Sequence, residues 1–400
     1  MQKKVAFMIR SLSDGGAERV VSNLSLHLSD KIERYILVHS CEQIDYPYKG
    51  ELIELNPRKK SQVQGLLQKF HYYFRCVNTA RNIKEKHKIQ VCVSFLSISN
   101  LVNILSGGEE RVVLSVRNHT SKATTGFYGK IISLLLELSY NRADVIIAVS
   151  QGVKKDLVEN YGVDGKKVEV IYNPYDIENI QQSMHEELDE KYRAIFCNPV
   201  IINAGRLTYQ KGQIHLIRAF TEVKMRDNNT KLVILGKGEL EDELRKAVKE
   251  LNLENDVFFL GFQKNPFKFI KRSSVYVFPS LYEGFPNALV EAMACGVPVI
   301  SADCRSGPRE ILAPDSDVDK ETNTIEYTPY GVLVPVCEGD HDAKSPLTPQ
   351  ESLLADSITE LLSHSNLREK YSLTAEKRAD DFNLKNIIPR WEKIIEQTIQ

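Results

Sequence analysis

Short apolar runs alternate with longer amphipathic runs over most of the chain. The short runs are continuously apolar, which is typical of parallel strands that are covered on both faces. The runs between them, such as 17–28 and 240–251, have the spacing of helices that bury one side. This alternation predicts a doubly wound α/β fold. The predicted strands are 5–9, 35–39, 91–95, 112–116, 145–149 and 168–172, then 200–204, 232–235, 257–260, 275–278 and 297–301, with a short one at 332–334.

The series of strands and helices occurs twice, so the chain is predicted to form two Rossmann-like domains. Its 400 residues are also too many for one ordinary hydrophobic core. A polar, charged stretch at 176–198 separates a predicted domain at 1–180 from one at 195–384. The helical pattern of 387–400 holds the single tryptophan, Trp391, which requires a surface to dock on.

The formal charge of −1 conceals an asymmetry, because the first 180 residues are net positive and the remainder is net negative. The positive excess is concentrated in 56–89, where Lys and Arg are interleaved with aromatic residues. One interpretation is the solvated face of a helix. The other is a surface for anionic lipid headgroups or a lipid diphosphate. Nucleic-acid binding has no motif to support it and is not expected.

The cysteines and the hydropathy pattern favour a cytoplasmic protein. The number of cysteines is odd and no two have C-x-x-C spacing, which argues against a disulfide framework or a zinc site. The N-terminal apolar run is short and is interrupted by Arg10, so we interpret it as a first strand and not as a signal peptide. No apolar run approaches the ~20 residues that a membrane span requires. We therefore expect any lipid to be met from outside the bilayer.

Two turns that follow predicted strands carry residues suited to anions. Gly15 and Gly16 join the first strand to the first helix, where backbone N–H groups can approach a phosphate. They lack the G-x-G-x-x-G pattern of nicotinamide enzymes, and the alternative is a tight turn that requires glycine. Arg206 and Lys211 follow the strand at 200–204 and are placed to hold a polyanion together. The alternative for these two is a pair of surface cations.

The segment 279–296 contains two glutamates in different settings. Glu283 falls in a loop after a strand. Pro286 is predicted in the first turn of the next helix, and Glu291 on its second turn. We predict that Glu283 lies beside the reacting end of a ligand and that Glu291 reaches a polar group further along it. The alternative is a loop acid and a helix acid that pairs with a nearby cation. The helix N–H groups expected to face a phosphate are those of Asn287, Ala288 and Leu289.

These residues resemble the signature of the retaining glycosyltransferases of family 4. The spacing of Glu283 and Glu291 is that of the family's E-x7-E motif. Gly205-Arg206-Leu207, followed by Lys211-Gly212, resembles its diphosphate clamp, and G-G-A-E-R at 15–19 resembles its N-terminal glycine loop. The resemblance is dense from about 200 to 312 and good from 5 to 28.

The resemblance implies the GT-B fold, in which two Rossmann-like domains have parallel sheets that face a central cleft. The first domain would be the acceptor side and the second would bind the nucleotide-sugar. The C-terminal helix, 385–400, would pack back on the first domain.

The resemblance also implies a role for each matching residue. Arg206 and Lys211 would bind the nucleotide diphosphate, with Gly16 beneath the phosphates. Glu291 would hold the ribose hydroxyls, and Glu283 would hydrogen-bond the transferred sugar. The other donor-binding positions implied around the sugar and the base are Gly15, Gly261, Phe262, Gly284, Phe285, Pro286, Asn287, Ala288 and Leu289.

One position departs from the family's pattern. Many relatives carry a histidine after the strand that is predicted here at 112–116, whereas this chain continues Arg117-Asn118-His119. The residue near the sugar could therefore be Arg117, Asn118 or His119, with Arg117 and His119 favoured equally. A cap at the end of the strand is the alternative.

Asp315 and Asp317 have the D-x-D spacing that holds Mn²⁺ or Mg²⁺ in other glycosyltransferases. They lie in an acidic run that is typical of a solvated loop. Arg206 and Lys211 could supply the charge that a metal otherwise brings. We therefore expect neither a metal nor a separate cofactor.

Residues and resemblance together predict a retaining glycosyltransferase that takes its sugar from a nucleotide, with UDP expected. The expected acceptor is a polyprenyl-diphosphate-linked saccharide at the cytoplasmic face of the membrane, as in capsule, exopolysaccharide or O-antigen assembly. The segment 56–89 would contact an anionic membrane. The alternatives are a glycosyltransferase with a soluble acceptor, a sugar-nucleotide 2-epimerase of the same fold, and a sugar-nucleotide binding module without catalysis.

Overall fold

The computed structural model describes residues 2–13, 15–56, 65–117, 134, 138–339 and 342–399. They form two compact units. The first unit is Met1–Tyr175 with Leu384–Gln400, and the second is Asp176–Asn383. The charged stretch at 176–198 therefore belongs to the second unit.

The described strands of the first unit form one sheet, and all of its pairings are parallel. In chain order these strands are β1 Lys3–Ile9, β2 Ile32–Val38, β3 Glu51–Glu54, β4 Val91–Phe95, β5 Arg111–Val116, β6 Val145–Ala148 and β7 Val168–Val170. The spatial order is β3-β2-β1-β4-β5-β6-β7. The apolar pattern did not predict β3, because this edge strand is short and only partly buried.

The described strands of the second unit form a sheet of the same kind with one antiparallel edge. They are β8 Val200–Ala204, β9 Lys231–Leu235, β10 Val257–Gly261, β11 Val275–Phe278, β12 Val299–Ala302, β13 Glu326–Tyr327 and β14 Val332–Val334. The spatial order is β10-β9-β8-β11-β12-β14-β13, and β13 pairs antiparallel with β14. The predicted doubly wound α/β class is confirmed for both units.

Helices connect the strands in each unit. In chain order they are α1 Gly16–His27, α2 Leu66–His87, α3 Ser97–Leu105, α4 Gln151–Tyr161, α5 Ile177–Ser183, α6 Glu190–Arg193, α7 Gln213–Arg226, α8 Glu241–Glu250, α9 Phe267–Ile270, α10 Asn287–Ala294, α11 Pro308–Leu312, α12 Pro349–Ser363, α13 Ser365–Ala379 and α14 Leu384–Ile399. Within the ranges given above, no helix combines the length and the apolar content needed to cross a membrane.

Helix α14 ends the chain and completes the core of the first unit. Its buried residues recur at helical spacing and pack with β1, β4 and α1. Trp391 is fully buried, and its ring stacks on Phe95 with 5.9 Å between centroids. No described residue accepts a hydrogen bond from its Nε1. The stabilisation by Trp391 therefore comes from apolar contact.

One lysine of the basic segment is part of the core and not of its surface. The Lys84 side chain is 1% exposed, and its Nζ lies 2.6 Å from Oε1 of buried Glu110. It also donates to Asn103 Oδ1 at 2.8 Å and to Ser106 Oγ at 2.9 Å. The prediction that Lys84 contributes to a basic surface is wrong, because this lysine joins α2 to the end of α3. Residues 57–64, with Arg58, lie outside the described residues.

The contact of Trp391 with Phe95 gives a stability prediction. Trp391→Ala should lower the free energy of unfolding of the first unit by about 3–5 kcal/mol, since it opens a large cavity. Trp391→Phe keeps most of the apolar contact and removes an unpaired N–H, so it should cost clearly less. Urea denaturation of the three proteins measures both changes. Equal losses for Ala and Phe would mean that Trp391 contributes through something other than its bulk.

Candidate functional site

The order of strands in the second sheet reverses between β8 and β11, which pair at its centre. Chain connections leave these two strands in opposite directions. A crevice therefore forms beyond their carboxyl ends, which is where doubly wound folds bind ligands. The loop after β8 carries Arg206 and Lys211, and the loop after β11 carries Glu283.

Backbone contacts join these two loops. The Leu281 N–H donates to the Gln210 carbonyl at 2.8 Å, and Gln210 Nε2 donates to the Tyr282 carbonyl at 2.8 Å. Gly212 has a φ of +63°, and a Cβ there would lie 2.3 Å from the Pro279 carbonyl oxygen. Glycine is needed here for both its dihedral angle and the close approach of the second loop.

Lys211 and Glu283 form an ion pair across the joined loops. Lys211 Nζ lies 2.6 Å from Glu283 Oε1, and the two side chains are 23% and 8% exposed. The ammonium also lies 5.4 Å from the ring centroid of Phe278. A carboxylate this buried is costly without a partner, and Lys211 supplies one. The structure thus brings together a predicted diphosphate ligand and the predicted sugar ligand.

Arg206 has a different environment from Lys211. Its side chain is exposed, and no hydrogen bond or ion pair joins its guanidinium to another described residue. Its backbone is held by Gln213 Nε2, which donates to the Arg206 carbonyl at 3.1 Å, and Leu207 N–H donates to the Lys237 carbonyl at 3.0 Å. A cation on an ordered turn without an internal partner is suited to an anion from solution.

Glu291 lies on the second turn of α10, as predicted, and is 7% exposed. Pro286 immediately precedes the helix as its N-cap and is not in its first turn. The prediction that the Leu289 N–H faces a phosphate is wrong, because it donates to the Pro286 carbonyl at 3.1 Å. Helix α10 begins at Asn287, so the N–H groups of its first turn still include those of Asn287 and Ala288.

The predicted base-flanking residues lie at the end of β10. Gly261 has a φ of +69°, and Phe262 is 61% exposed. The loop after β9 passes very close to the loop that carries Arg206, because a Cβ on Gly236 would lie 1.9 Å from the Gly205 carbonyl oxygen. In the loop 283–286, the Gly284 carbonyl accepts a hydrogen bond from Ser306 Oγ at 3.0 Å. Phe285 is buried, with its ring 5.5 Å from that of Phe382.

Two other polar groups beside Glu283 are poor nucleophiles. Burial raises the pKa of the Cys304 thiol well above its ordinary value, and the charge of Glu283 raises it further. Burial likewise raises the pKa of Tyr276, whose hydroxyl donates to the Ala204 carbonyl at 3.1 Å. Both groups are neutral at physiological pH, so neither supplies a thiolate or a phenolate.

In the first unit, the glycine loop lies at the start of α1. Gly15 has an extended backbone, with a φ of −175°, so its dihedral angle does not require glycine. A Cβ would lie 2.1 Å from Glu18 Oε2, but this is the end of a flexible side chain, so the contact does not require glycine either. Gly16 is the first residue of α1. The Glu18 carboxylate therefore lies over Gly15 at the helix N-terminus, where the helix dipole favours negative charge.

Arg117 follows β5 and is 7% exposed. Its Nη1 lies 3.4 Å from Ser115 Oγ, while no described residue accepts a hydrogen bond from its Nη2. Burial lowers the pKa of Arg117 to about 10, although the neighbouring Tyr175 and Glu18 oppose this shift. Arg117 is still charged at neutral pH. The alternatives Asn118 and His119 lie outside the described residues.

The acidic pair Asp315 and Asp317 lies on an exposed turn. The Asp317 carboxylate accepts from the Asp319 N–H at 3.0 Å, as in an ordinary turn. Nowhere in the described part of the chain do three or more His, Cys, Asp or Glu side chains cluster as metal ligands would.

Comparison with known proteins shows the family of this chain. The model of group 1 glycosyl transferases matches residues 185–325, and that of glycosyltransferase family 4 matches 14–179. An uncharacterized glycosyltransferase of Methanocaldococcus jannaschii is 37% identical over 88% of this chain and 89% of that protein. The chain belongs to the family 4 glycosyltransferases. It is therefore an enzyme that transfers a sugar from a nucleotide-sugar.

Two further comparisons concern relatives with more informative names. A Campylobacter jejuni protein is 31% identical over 95% of this chain and 96% of its own length. Its name is N-acetylgalactosamine-N,N'-diacetylbacillosaminyl-diphospho-undecaprenol 4-alpha-N-acetylgalactosaminyltransferase. The structure of Anabaena HepE in complex with UDP and glucose superposes with a TM-score of 0.76 over 98% of this chain and 99% of that one, at 19% identity. This likeness shows that the glycosyltransferase has a GT-B-like fold.

Sequence reasoning missed the residues that connect the loops of this glycosyltransferase. Gln210 joins the loops after β8 and β11, and Ser306 joins the loop after β12 to Gly284. Both are polar residues in turns that follow apolar strands. The local signal is a nearby glycine, Gly212 two positions after Gln210 and Gly307 directly after Ser306, and it does not identify their partners.

The Lys211–Glu283 contact can be tested by protein stability. Lys211→Met leaves the Glu283 carboxylate unpaired and should lower the free energy of unfolding by about 1–3 kcal/mol. The double variant Lys211→Met/Glu283→Gln removes that charge and should regain part of the loss. Urea denaturation measures both.

The matched control is Lys246→Met, because Lys246 and Glu250 pair at 3.6 Å on the surface of the same unit. Its effect should stay within the ~0.3–0.5 kcal/mol of exposed helical pairs. A double variant no more stable than Lys211→Met alone would contradict the ion pair.

Proposed function

We propose that this glycosyltransferase takes its sugar from UDP and transfers it, with retention, to a saccharide carried on polyprenyl diphosphate. The observation that carries the donor half lies at the reversal point of the second sheet, where Arg206 and Lys211 share one turn and Lys211 pairs with Glu283. HepE, a protein of like fold, has been solved with UDP and glucose. The name of the Campylobacter relative supports the acceptor half, since its substrate is diphospho-undecaprenol-linked.

The proposed leaving group is UDP, whose diphosphate gains negative charge as the sugar departs. Arg206 is exposed and unpaired within the described residues, and Lys211 is fixed in place, so together they offer two cations on one turn. The first N–H groups of α10 add donors at a helix N-terminus. Preorganised charge of this kind stabilises a transition state strongly. We accordingly propose that transfer proceeds without a metal, and Glu291 is assigned to the ribose.

Glu283 is assigned to the transferred sugar and not to covalent catalysis. Its carboxylate is already held by Lys211 at 2.6 Å, which makes it a hydrogen-bond acceptor of fixed position. A retaining reaction without a covalent nucleophile proceeds by attack on the face from which UDP departs. Arg117 and His119 stay candidates for a further contact near the sugar, and the first is supported by its Nη2, from which no described residue accepts a hydrogen bond.

The proposed membrane contact is the exposed side of α2. Phe70 and Phe74 are one turn apart and are 77% and 56% exposed. Arg75, Arg81 and Lys86 are exposed on the same helix. Apolar rings beside cations are suited to an anionic lipid surface, where the rings enter the interface and the cations meet headgroups.

The acceptor proposal predicts that changes in α2 lower turnover on a membrane-bound acceptor and not on a soluble one. Phe70→Ser/Phe74→Ser should lose turnover about 10-fold or more on a polyprenyl-linked saccharide in anionic vesicles, because the enzyme no longer concentrates at the surface. Turnover on a short-chain, soluble acceptor diphosphate should not change. Both assays contain EDTA and a panel of UDP-sugars, and wild-type turnover is expected under these conditions.

The control is Leu373→Ser, which removes a 66% exposed apolar residue from the second unit. It should behave as wild type in both assays. Equal turnover of the Phe variant and wild type in vesicles would remove α2 from the membrane contact. Turnover by wild type on free saccharides but not on lipid-linked ones would overturn the acceptor proposal, and loss of turnover in EDTA would overturn the metal-free reaction.

The two glutamates should separate in titrations with UDP alone. Glu283→Gln should bind UDP as tightly as wild type or more tightly, because the carboxylate no longer competes with the diphosphate for Lys211. Its turnover should collapse, since a contact to the sugar strengthens in the transition state. Glu291→Gln should lose the ~1.5–3 kcal/mol of a charged hydrogen bond in UDP binding. Isothermal titration and steady-state kinetics measure the two effects.

The opposite result has a definite meaning. Weaker UDP binding by Glu283→Gln with normal binding by Glu291→Gln would show that the two roles are reversed. Unchanged binding and turnover in both variants would show that the E-x7-E spacing in this chain has no catalytic function.

A further inference from the structure

The loop after β12 is closed by a buried ion pair that the donor chemistry above does not use. Arg309 Nε lies 3.2 Å from each carboxylate oxygen of Asp303, and Arg309 Nη2 also contacts Asp303 Oδ2. The two side chains are 4% and 3% exposed. This fork-to-carboxylate contact joins the first residue after β12 to α11 and so fixes both ends of the segment 303–309.

Two further residues contact this ion pair, one at Arg309 and one at Asp303. Arg309 Nη2 lies 3.0 Å from Glu326 Oε2 on the edge strand β13, and the Thr322 N–H donates to Asp303 Oδ2 at 2.9 Å. Hydrogen bonds from Arg309 lower the pKa of Glu326, which keeps that carboxylate ionised. The ion pair therefore connects β12, α11 and β13.

The middle of the closed segment is hydrogen-bonded to the glutamate assigned to the sugar. The Glu283 N–H donates to the Arg305 carbonyl at 2.8 Å, and the Ser306 N–H donates back to the Glu283 carbonyl at 2.8 Å. Gly307 has a φ of +105°, and a Cβ there would lie 2.5 Å from Pro286 Cδ. The backbone from Glu283 to Pro286 thus lies directly against 305–307.

The first half of the same loop is held by other residues. Leu281 and Tyr282 are bonded to Gln210, on the lysine loop. Loosening the segment 303–309 should therefore move Glu283 and leave the Arg206 and Lys211 turn in place.

We propose that the Asp303–Arg309 ion pair is a positioning device for Glu283, holding its backbone where the carboxylate meets the transferred sugar. The proposal rests on the function proposed above for the role of Glu283. A buried ion pair is weak evidence for stability, since an apolar replacement of the same shape is often no less stable. Positioning gives a reason for an arginine fork at this place, because a displacement of about 1 Å from the reacting geometry can cost ~100-fold in rate.

The test uses Arg309→Lys, which keeps the charge but loses the two-pronged geometry. Hydrogen exchange without substrate should accelerate in peptides that cover 281–286 and 303–307. It should stay unchanged in peptides that cover 205–212. Turnover should fall about 10-fold or more, while the Kd for UDP stays within about twofold.

The double variant Asp303→Asn/Arg309→Met removes both charges of the pair. It leaves no buried charge unpaired, so it tests the proposal even where Arg309→Lys does not fold. It should give the same split between turnover and UDP binding. The matched control is Glu321→Gln, because Glu321 pairs with Arg305 at 2.8 Å in the exposed part of the same region. It should leave exchange, turnover and UDP binding as in wild type.

Each outcome decides the proposal. Unchanged exchange at 281–286 in both variants would overturn it, whatever the enzyme transfers. Faster exchange in both loops with weaker UDP binding would also overturn it, by showing a general loss of structure. Faster exchange at 281–286, together with normal turnover of Glu283→Gln, would contradict the proposed role of Glu283 and not the ion pair's effect on the loop.

Discussion

The contact between the Lys211 ammonium and the Glu283 carboxylate joins loops that are 72 positions apart in the chain. It forms because β8 and β11 are neighbours at the centre of the second sheet, so their carboxyl ends meet at one edge. The contact links the two roles proposed for these side chains. The cation assigned to the diphosphate also holds the acid assigned to the sugar, so a change to either side chain removes the partner of the other.

This contact depends on loops that approach one another more closely than side chains allow. Gly212 lies against the Pro279 carbonyl, Gly236 against the Gly205 carbonyl and Gly307 against Pro286. Each has a positive φ, so each position requires glycine both for its dihedral angle and for the close approach of the neighbouring loop. The result is a set of loops with little freedom around Glu283. Preorganisation of this kind lets fixed charges act without reorganising during the reaction.

Buried charged groups that pair with each other also occur elsewhere in both units. Lys84 on α2 pairs with Glu110, which directly precedes β5 in the first unit, and Arg218 with His215 holds Glu351 in the second. Although burial raises the pKa of Glu351, its hydrogen bonds from His215 and Arg218 lower it to about 2. That carboxylate therefore contributes stability above its ordinary pKa, and the contribution is lost as the pH falls toward 2. Such pairs connect separate elements within one unit.

The amino-acid pattern alone predicts the fold class, the central strands and the placement of Arg206, Lys211, Glu283 and Glu291 on their loops and helix. These follow from local rules, since apolar runs, helical spacing and glycine turns act over a few residues. These rules did not predict the edge strand β3, because a half-exposed strand lacks a continuous apolar run. Three features depend on contacts between distant segments. They are the burial of Lys84, the pairing of Lys211 with Glu283, and the closing of the neighbouring loop by Asp303 and Arg309. Pairing depends on which strand ends become neighbours, and a charged residue has the same local pattern whether its partner is a carboxylate or water.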